Sequence, residues 1–357
     1  MSRRFLVWYW SPTGGGGSQY AVKLAHRLAL HFGERAVKLS LHNQDPSLVA
    51  ALAFGFETTA ANVITARRQP VNTVVNLAAS ARVLDEHARD ADCVIVPMNF
   101  AAAAPLAVSL RKLLVYVAHD PKPHPGDYAP FLQRTTQAAL LRKAARVVAL
   151  SDYAARQLAD AGVNKLQVAP LSAVFEPREP APRAEGPARL LFAGRMIAYK
   201  GVDILADALT HLSQRDDWRL TIAGTGPALD AATAARVKLA QVEPFDPAWL
   251  SEAELEAHIA ACDILVAPYR SATQSGVVAQ ALAYGKPCVV TPVGALASQI
   301  GDGAAGWVAE RADAAAFAAA LKRALDAPAQ VQEKAQSALA IARGEWRRDY
   351  WSWLEEV

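Results

Sequence analysis

The sequence predicts an α/β protein of two domains, each built on a parallel β-sheet covered by helices. The chain has 357 residues, and a prior of roughly 100 to 200 residues per domain favours two domains. Short apolar runs rich in β-branched residues alternate with longer segments of helical period, which is typical of parallel sheets between helices. A composition of 52% hydrophobic and 20% charged residues excludes a disordered chain and fits a soluble globular protein.

The first predicted domain comprises residues 1–176. Its strands are predicted at residues 5–10, 36–42, 93–98, 113–119, 146–151 and 165–170. The segment 19–33 has helical period and ends at Gly33, a residue that favours a helix C-terminus. Trp8 and Trp10 alternate at strand spacing, so we expect both in the core.

The second predicted domain follows a proline-rich linker at residues 177–187, because proline joins neither a ladder nor a helix interior. The domain spans residues 188–335, with strands predicted at 189–194, 220–224, 238–244, 263–269, 287–293 and 306–310. Residues 336–357 predict a C-terminal helix whose aromatic side chains pack back toward the first domain.

Several classes of protein are excluded by composition and spacing. Three widely separated cysteines without a CxxC pair predict reduced core residues rather than a disulfide framework or a zinc site. Residues 93–110 carry no charge over about the length of a membrane span, but Pro97, Asn99 and Pro105 favour a buried strand followed by a helix. The short apolar run near the N-terminus predicts a first strand rather than a signal peptide.

Charge is distributed unevenly along the chain. Residues 1–174 contain 19 Lys+Arg and 11 Asp+Glu, a net charge of +8, and the remainder contains 18 and 23, a net charge of −5. The first half is therefore predicted to face something anionic, either a phosphorylated acceptor or a membrane surface. A scattered, solvated surface is the open alternative.

The first candidate ligand loop is SPTGGGGSQY at residues 11–20, between the first strand and the first helix. Ligands of open α/β sheets bind beyond the carboxyl ends of strands, and glycines let the backbone approach them closely. The loop lacks the GxGxxG spacing, since Gln19 stands where the third glycine belongs, and this disfavours a dinucleotide cofactor. A flexible turn is the alternative interpretation.

Two further loops lie in the second domain. Arg195 follows a strand that ends at Gly194, and Lys200 stands at the entrance to a helix, so two cations beside a helix N-terminus suit a nucleotide diphosphate. In the third cluster, the amides of Ser275, Gly276 and Val277 begin a helix after strand 263–269. Gln280, one turn further in, can donate to and accept from vicinal hydroxyls.

The segments AGRMIAYKGVDIL, TIAGTGP and VAPYRSATQSGVVAQALAYGKPCVVTPVGAL resemble glycosyltransferase family 4. The likeness extends to GGGGSQYAVKLAHRLA, VYVAHDP and RVVALSDYAARQLADAGV in the first half, and it is most specific over residues 190–310. The resemblance implies the GT-B architecture, with two Rossmann-like domains facing each other across a cleft. It also implies a nucleotide-sugar donor, no cofactor, no metal, and transfer with retained anomeric configuration.

The resemblance assigns roles by position. Arg195 and Lys200 match the diphosphate-binding pair, Gln280 the second glutamate of the E-x7-E signature, His119 a histidine near the reacting carbon, and Gly16 a loop glycine near the diphosphate. The first glutamate would fall at Ala272 or Thr273, neither of which is acidic, and Gln274 or Ser275 can bond a sugar hydroxyl instead. Candidate acceptor-side residues are Gly15, Ser18, Arg67 and Arg68, although solvated charge is the alternative for the two arginines.

The function expected is a metal-independent, retaining hexosyltransferase. It would move a sugar from a nucleotide-diphosphate sugar to a carbohydrate or lipid-linked acceptor in polysaccharide or glycolipid assembly. A cytoplasmic location at the inner membrane face, with peripheral contact to anionic lipid and no nucleic-acid partner, accompanies this expectation. A catalytically silent GT-B protein that binds a nucleotide sugar or a partner is the first alternative, favoured by the missing acidic pair. A Rossmann oxidoreductase is the second, disfavoured by the absent dinucleotide fingerprint.

Overall fold

Two parallel β-sheets, each covered by helices, form two separate units, as the sequence predicts. The structure is a computed structural model that describes residues 3–12, 14–61, 70–100, 102–122, 130–180, 185–230, 233, 237, 241–243 and 250–357. The first unit comprises the described residues up to Pro170 together with Asp349–Val357, and the second comprises Leu171–Arg348.

The first unit contains a seven-stranded parallel sheet in the order β3-β2-β1-β4-β5-β6-β7. The strands are β1 Phe5–Tyr9, β2 Val37–His42, β3 Glu57–Ala61, β4 Cys93–Val96, β5 Leu113–Ala118, β6 Arg146–Ala149 and β7 Leu166–Val168. The helices are α1 Gly16–Phe32, α2 Ser47–Ala51, α3 Pro70–His87, α4 Ala103–Ser109, α5 Pro130–Lys143 and α6 Asp152–Asp160. A 3₁₀ turn at Glu34–Ala36 precedes β2.

The second unit contains a five-stranded parallel sheet in the order β12-β11-β10-β8-β9. Its strands are β8 Ala188–Ala193, β9 Trp218–Ala223, β10 Ile264–Ala267, β11 Cys288–Val290 and β12 Gly306–Val308. Its helices are α7 Val202–Thr210, α8 Glu252–Ala261, α9 Gly276–Ala283, α10 Leu296–Gln299, α11 Ala314–Leu325 and α12 Pro328–Arg347. Of the strand predicted at 238–244, only 241–243 are described, and Val242 forms a parallel bridge to Leu220 there.

The passage between the units differs in position from the predicted linker. It falls at Pro170–Leu171, because the 3₁₀ turn Leu171–Val174 buries its side chains against α9 and α12. Residues 181–184 of the predicted linker lie outside the described part of the chain. At the other end, α12 stays with the second unit and the tail Asp349–Val357 joins the first, where Trp351 is buried.

Burial of the cores agrees with the sequence analysis. Trp8 and Trp10 are both buried, and the three cysteines are buried and free. The uncharged stretch 93–110 forms β4 and α4. Over the described residues, no helix combines the length and the apolar character that crossing a bilayer requires.

Candidate functional site

Close backbone contacts bring three loops of the second sheet together at its carboxyl edge. Gly201 has φ 66°, and a Cβ there would lie 2.0 Å from the carbonyl oxygen of Pro268. Gly294 has φ 57°, and a Cβ there would lie 1.6 Å from the carbonyl oxygen of Ala272. Only glycine fits either position, so the loops after β8 and β11 are both held against the loop after β10.

Lys200 is held inside this loop cluster by Tyr269. Its Nζ donates to the Tyr269 Oη at 2.8 Å and lies 4.5 Å from the centre of the Tyr269 ring. The hydroxyl of Tyr269 is also 3.3 Å from the Oγ of Ser275. A Cβ placed on Gly194 would lie 3.5 Å from Lys200 Nζ and 3.6 Å from Val277 Cγ2, so the ammonium group lies between the β8 loop and the first turn of α9.

Ser275 is fixed on both sides by neighbouring groups. Its Oγ caps α9 by accepting from the Val278 amide at 3.3 Å. The side chain of Gln299 makes two hydrogen bonds to the Ser275 backbone: its Oε1 accepts from the Ser275 amide at 3.0 Å, and its Nε2 donates to the Ser275 carbonyl at 2.8 Å. The predicted anion site therefore needs one correction: the Ser275 amide is occupied. Gly276 and Val277 keep amides without a partner among the described residues, as the first turn of a helix must.

The two predicted cations differ in how they are held. Arg195 is exposed, and its guanidinium bonds to no group of the described chain. Lys200 has only the phenol of Tyr269 as a partner there, with no carboxylate within ion-pair distance. Arg270, next in sequence to Tyr269, is instead paired with Asp203, and this guanidinium holds the pKa of Asp203 below its usual value. Arg195 and Lys200 are thus the cations available to an anion.

Gln280 is placed differently from the simple prediction of a ribose contact. Its side chain is only 4% exposed, and its Nε2 donates to Glu256 Oε1 of α8 at 3.3 Å. Tyr284, one turn further, also bonds to Glu256, and burial followed by this carboxylate raises the pKa of Tyr284 to about 12. In this structure the Gln280 amide belongs to a cluster inside the unit, and its ribose role stays a prediction.

The loop before Ser275 contains the two positions at which the first glutamate of the signature would stand. Ala272 and Thr273 are both buried, and their backbones pack against the β11 loop around Gly294. The Thr273 carbonyl accepts from the Ala295 amide at 3.2 Å. Gln274 is partly buried directly beside Ser275, so the structure places it next to the helix start that the sequence analysis assigned to the donor.

In the first unit, the glycine loop begins α1. Gly15 is its N-cap with φ 99°, and Gly16 is exposed, with nothing within 4 Å of a Cβ placed there. Gly17, which the sequence analysis did not single out, is sterically constrained, since a Cβ there would lie 2.3 Å from Tyr9 Oη. The space beside Gly16 is open, and its role near a diphosphate stays a prediction.

Ser18 has a structural partner that its acceptor-side prediction did not anticipate. The side chain is fully buried and donates to Asp45 Oδ2 at 2.5 Å. Asp45 Oδ1 in turn accepts from the Ser47 amide at 2.9 Å. This bond ties α1 to the loop after β2, so the geometry favours a positioning role. Arg67 and Arg68 lie outside the described residues.

His119 directly follows β5 and lies next to the first turns of α1. Its ring packs edge to face on Tyr20 at 4.6 Å and hydrogen-bonds to the backbone of Pro97. Burial lowers the pKa of His119 to about 4, although Asp120 opposes part of that shift. The imidazole is therefore neutral near pH 7 and can exchange hydrogen bonds without carrying charge. Across the described residues, no cluster of three His, Cys, Asp or Glu side chains could hold a metal ion.

Comparison with known sequences matches both units to glycosyltransferases. A sequence model described as Glycosyltransferase Family 4 matches residues 14–171, and one described as Glycosyl transferases group 1 matches residues 187–327. D-inositol 3-phosphate glycosyltransferase 1 of Catenulispora acidiphila is 29% identical over 280 residues, covering 71% of this chain and 64% of that protein. The chain spans less than two thirds of the length of this and the next two curated relatives, for which the figures are 35% and 51%.

Comparison with solved structures identifies the same architecture. The structure of Anabaena Alr3699/HepE in complex with UDP-glucose superimposes with a TM-score of 0.72 and 18% identity, covering 96% of this chain and 95% of that one. Sucrose-phosphate synthase (tll1590) of Thermosynechococcus elongatus gives a TM-score of 0.71 and 17% identity, covering 99% and 97%. At such identities the likeness establishes the fold.

Proposed function

This chain belongs to glycosyltransferase family 4 and has the GT-B fold, and we propose that it transfers a sugar from a nucleotide-diphosphate sugar to an acceptor hydroxyl. The observation that carries the proposal is the placement of Lys200 between the β8 loop and the start of α9. Arg195 in the same loop and the free amides of Gly276 and Val277 supply further donors. Together they form a site for a diphosphate leaving group.

Catalysis in this proposal is electrostatic. Charge develops on the diphosphate as the glycosidic bond breaks, and preorganised donors aimed at that charge lower the barrier. The hydrogen bond to Tyr269 holds Lys200 in place before a donor binds, and the two hydrogen bonds from Gln299 to the Ser275 backbone hold the start of α9. Two cations and a helix N-terminus offer the charge that a metal would otherwise supply, which supports a metal-independent reaction. Neutral His119 would contribute hydrogen bonds to the sugar rather than charge.

The finer features are proposed from the family and from similar proteins. Retention of anomeric configuration follows from the resemblance to family 4. A relative named for D-inositol 3-phosphate and a fold neighbour bound to UDP-glucose support a UDP-sugar as the first donor to test and a phosphorylated acceptor. The lipid-linked acceptor is proposed from the resemblance to family 4. We place the reaction in polysaccharide or glycolipid assembly at the inner face of a membrane, where the basic first half suits an anionic surface.

The test compares two double variants of the full chain, each with its substitutions in the second unit. Calorimetric titration with UDP measures binding, and a transfer assay measures the rate. Arg195→Ala with Lys200→Ala should weaken binding, and the transfer rate should fall by about 100-fold or more, since one lost preorganised donor typically costs about 100 to 1,000-fold. The matched control is Lys322→Ala with Arg347→Ala, which removes the same two charges from α11 and α12. Equal UDP affinity in the folded site variant and the wild type would contradict the proposal.

A second candidate is a protein that binds a nucleotide sugar without transferring it. The observation that favours it is the engagement of Gln280 with Glu256, in a loop and helix without the acidic pair of the signature. The two candidates share the binding site and differ in turnover. Release of UDP from a UDP-sugar panel, measured with and without acceptor mixtures, separates them.

A further inference from the structure

Several cations of the first unit lie at one edge of its sheet. Because all seven strands are parallel, their first residues lie along one amino edge, opposite the edge that carries the glycine loop and His119. Six cations stand there at strand starts or helix ends, and we call them the basic edge: Arg111, Lys112, Arg142, Lys143, Arg146 and Lys165.

Hydrogen bonds show that the basic edge is one contiguous surface. The Ala145 amide donates to the Leu114 carbonyl at 2.7 Å, which joins the start of β6 to the start of β5. The Lys165 Nζ donates to the Arg142 carbonyl at 3.2 Å, which joins β7 to the end of α5. Next to Arg111 and Lys112 lies a cavity of about 560 Å³ that Arg3, Arg4 and a single acidic side chain, Asp92, also line.

None of the six cations forms an ion pair with a carboxylate of the described residues. Asp160 ends α6 on the same edge and is exposed, but it pairs with none of them. The cations that are exposed are Arg111, Arg142, Lys143 and Arg146. Among the described residues, the charges of these six cations are therefore not neutralised by ion pairs.

The second unit shows that this arrangement is not a consequence of the fold. Its sheet is also parallel, and two arginines near its amino edge are paired with carboxylates, whereas Lys286 there bonds to the Ala260 carbonyl. Arg189 bonds to Asp263 at 2.9 Å, and Arg215 bonds to Asp217 and Asp326, each at 2.6 Å. The same architecture thus accommodates ion-paired arginines at this edge in the second unit, and it does not require the unpaired cations of the first.

Compensation of helix dipoles accounts for only part of the basic edge. Arg142 and Lys143 stand in the last turn of α5, where cations offset the negative helix end, and Lys165 bonds to carbonyls there. Arg111 and Arg146 stand at strand starts, where no such need exists. A binding role explains the whole set.

Exposed apolar side chains indicate the kind of partner. Val108 at the end of α4 is 67% exposed, and Leu113 at the start of β5 is 44% exposed, on either side of Arg111 and Lys112. A soluble polyanion gains nothing from such side chains, whereas the boundary between headgroups and acyl chains receives them favourably. We propose that the basic edge binds the anionic headgroups of a lipid bilayer, with Val108 and Leu113 at the interface.

The proposal fixes how the first unit faces the membrane. Strand β5 has six residues, so at about 3.3 Å per residue the two edges of the sheet are roughly 20 Å apart. The edge with Gly16 and His119 then faces away from the lipid. An acceptor served at that edge must project from the bilayer, as a lipid-linked oligosaccharide does; this consequence alone rests on the proposed function.

The experiment is co-sedimentation of the full chain with vesicles of phosphatidylcholine, alone or mixed with phosphatidylglycerol, at low and high salt. Wild type should bind only the mixed vesicles, and less at high salt, because screening shortens the reach of surface charge. The variant Arg111→Gln, Arg142→Gln, Lys143→Gln should bind about 100-fold more weakly, from roughly 1 kcal/mol for each basic residue near the surface. The matched control Arg311→Gln, Lys322→Gln, Arg347→Gln should bind as wild type does.

Further variants and a heparin control distinguish a lipid surface from a soluble polyanion as the partner of the basic edge. Val108→Ser with Leu113→Ser should weaken vesicle binding and leave heparin binding unchanged, which a purely electrostatic site would not show. Three results overturn the proposal: no binding of wild type to mixed vesicles, equal losses in the two triple variants, or heparin binding without vesicle binding. Circular dichroism and thermal melting confirm that each variant is folded. No donor is present in these assays, so a failure here leaves the proposed transfer reaction untouched.

Discussion

Tyr269 offers the sharpest test of how the donor site is organised. Tyr269→Phe removes one oxygen and keeps the ring, which is 3% exposed and packs under the Lys200 ammonium. The variant loses the 2.8 Å bond from Lys200 and the 3.3 Å contact with Ser275. A hydrogen bond to a charged group contributes about 1.5 to 3 kcal/mol. Because Lys200 is partly exposed, water replaces some of that bond, and the loss should be near the lower value.

The expected result is UDP binding about tenfold weaker, since about 1.4 kcal/mol is tenfold in affinity. Tyr153→Phe, a partly buried tyrosine of the first unit, is the control and should leave UDP binding unchanged. The melting temperature should change little, because the ring still fills its site. Titration calorimetry of the two variants and the wild type measures all three expectations.

A double-mutant cycle identifies the route of the effect. If Tyr269 acts by positioning Lys200, then Tyr269→Phe should cost almost nothing in a Lys200→Ala background, since coupled residues are not additive. The same tenfold loss in that background would refute the reasoning and assign the effect to Ser275 and the start of α9. A donor-independent drop in stability of several kcal/mol would also refute it, because Tyr269 would then be a packing residue only.

Two further predictions concern stability. Gly294→Ala should lower the free energy of unfolding by about 2 kcal/mol or more, since left-handed backbone costs a non-glycine residue about 1 to 2 kcal/mol and the new Cβ would overlap the Ala272 carbonyl. Gly344→Ala is the control, because a Cβ there has nothing within 4 Å, and it should raise the free energy of unfolding by about 0.5 to 1 kcal/mol. Urea titrations measure both changes. His119 has a folded pKa of about 4, below the unfolded value near 6.5, so the stability it contributes is complete above pH 6.5 and is lost progressively as the pH falls toward 4, up to about 3 kcal/mol. His119→Gln should flatten that part of the pH dependence, and an unchanged slope would contradict it.

Much of the fold could be predicted because the strands carry their own signal. The buried runs of β1, β5 and β10 are almost continuously apolar, with aromatic, leucine and β-branched residues, which is typical of strands covered on both faces. Strand β3 was missed, because Glu57–Ala61 is short, half exposed and without an apolar run, as an edge strand can be. The passage at Pro170–Leu171 was also missed, since it depends on what Leu171–Val174 packs against.

The candidate site was predictable where chemistry lies in short segments. Arg195, Lys200 and the start of α9 are visible as cations and a helix N-terminus after strands. The partners that organise them are not visible, because Tyr269 is 69 residues from Lys200 and Gln299 is 24 residues from Ser275. Such long-range pairs depend on the order of the strands in the sheet, which the secondary-structure propensities of the residues do not determine.

Loop 270–276 has no acidic residue, and this makes the site more positively charged without removing the groups that form it. Lys200 is bound by a neutral phenol, so among the described residues its charge is not neutralised until an anion arrives. The start of α9 adds a second positive pole, and Gln299 and the Ser275 cap keep it in place. A carboxylate in the same loop would repel the diphosphate while bonding the sugar. In the proposed reaction the site would therefore bind mainly the charged part of the donor, and recognition of the sugar would fall to neutral groups such as Gln274.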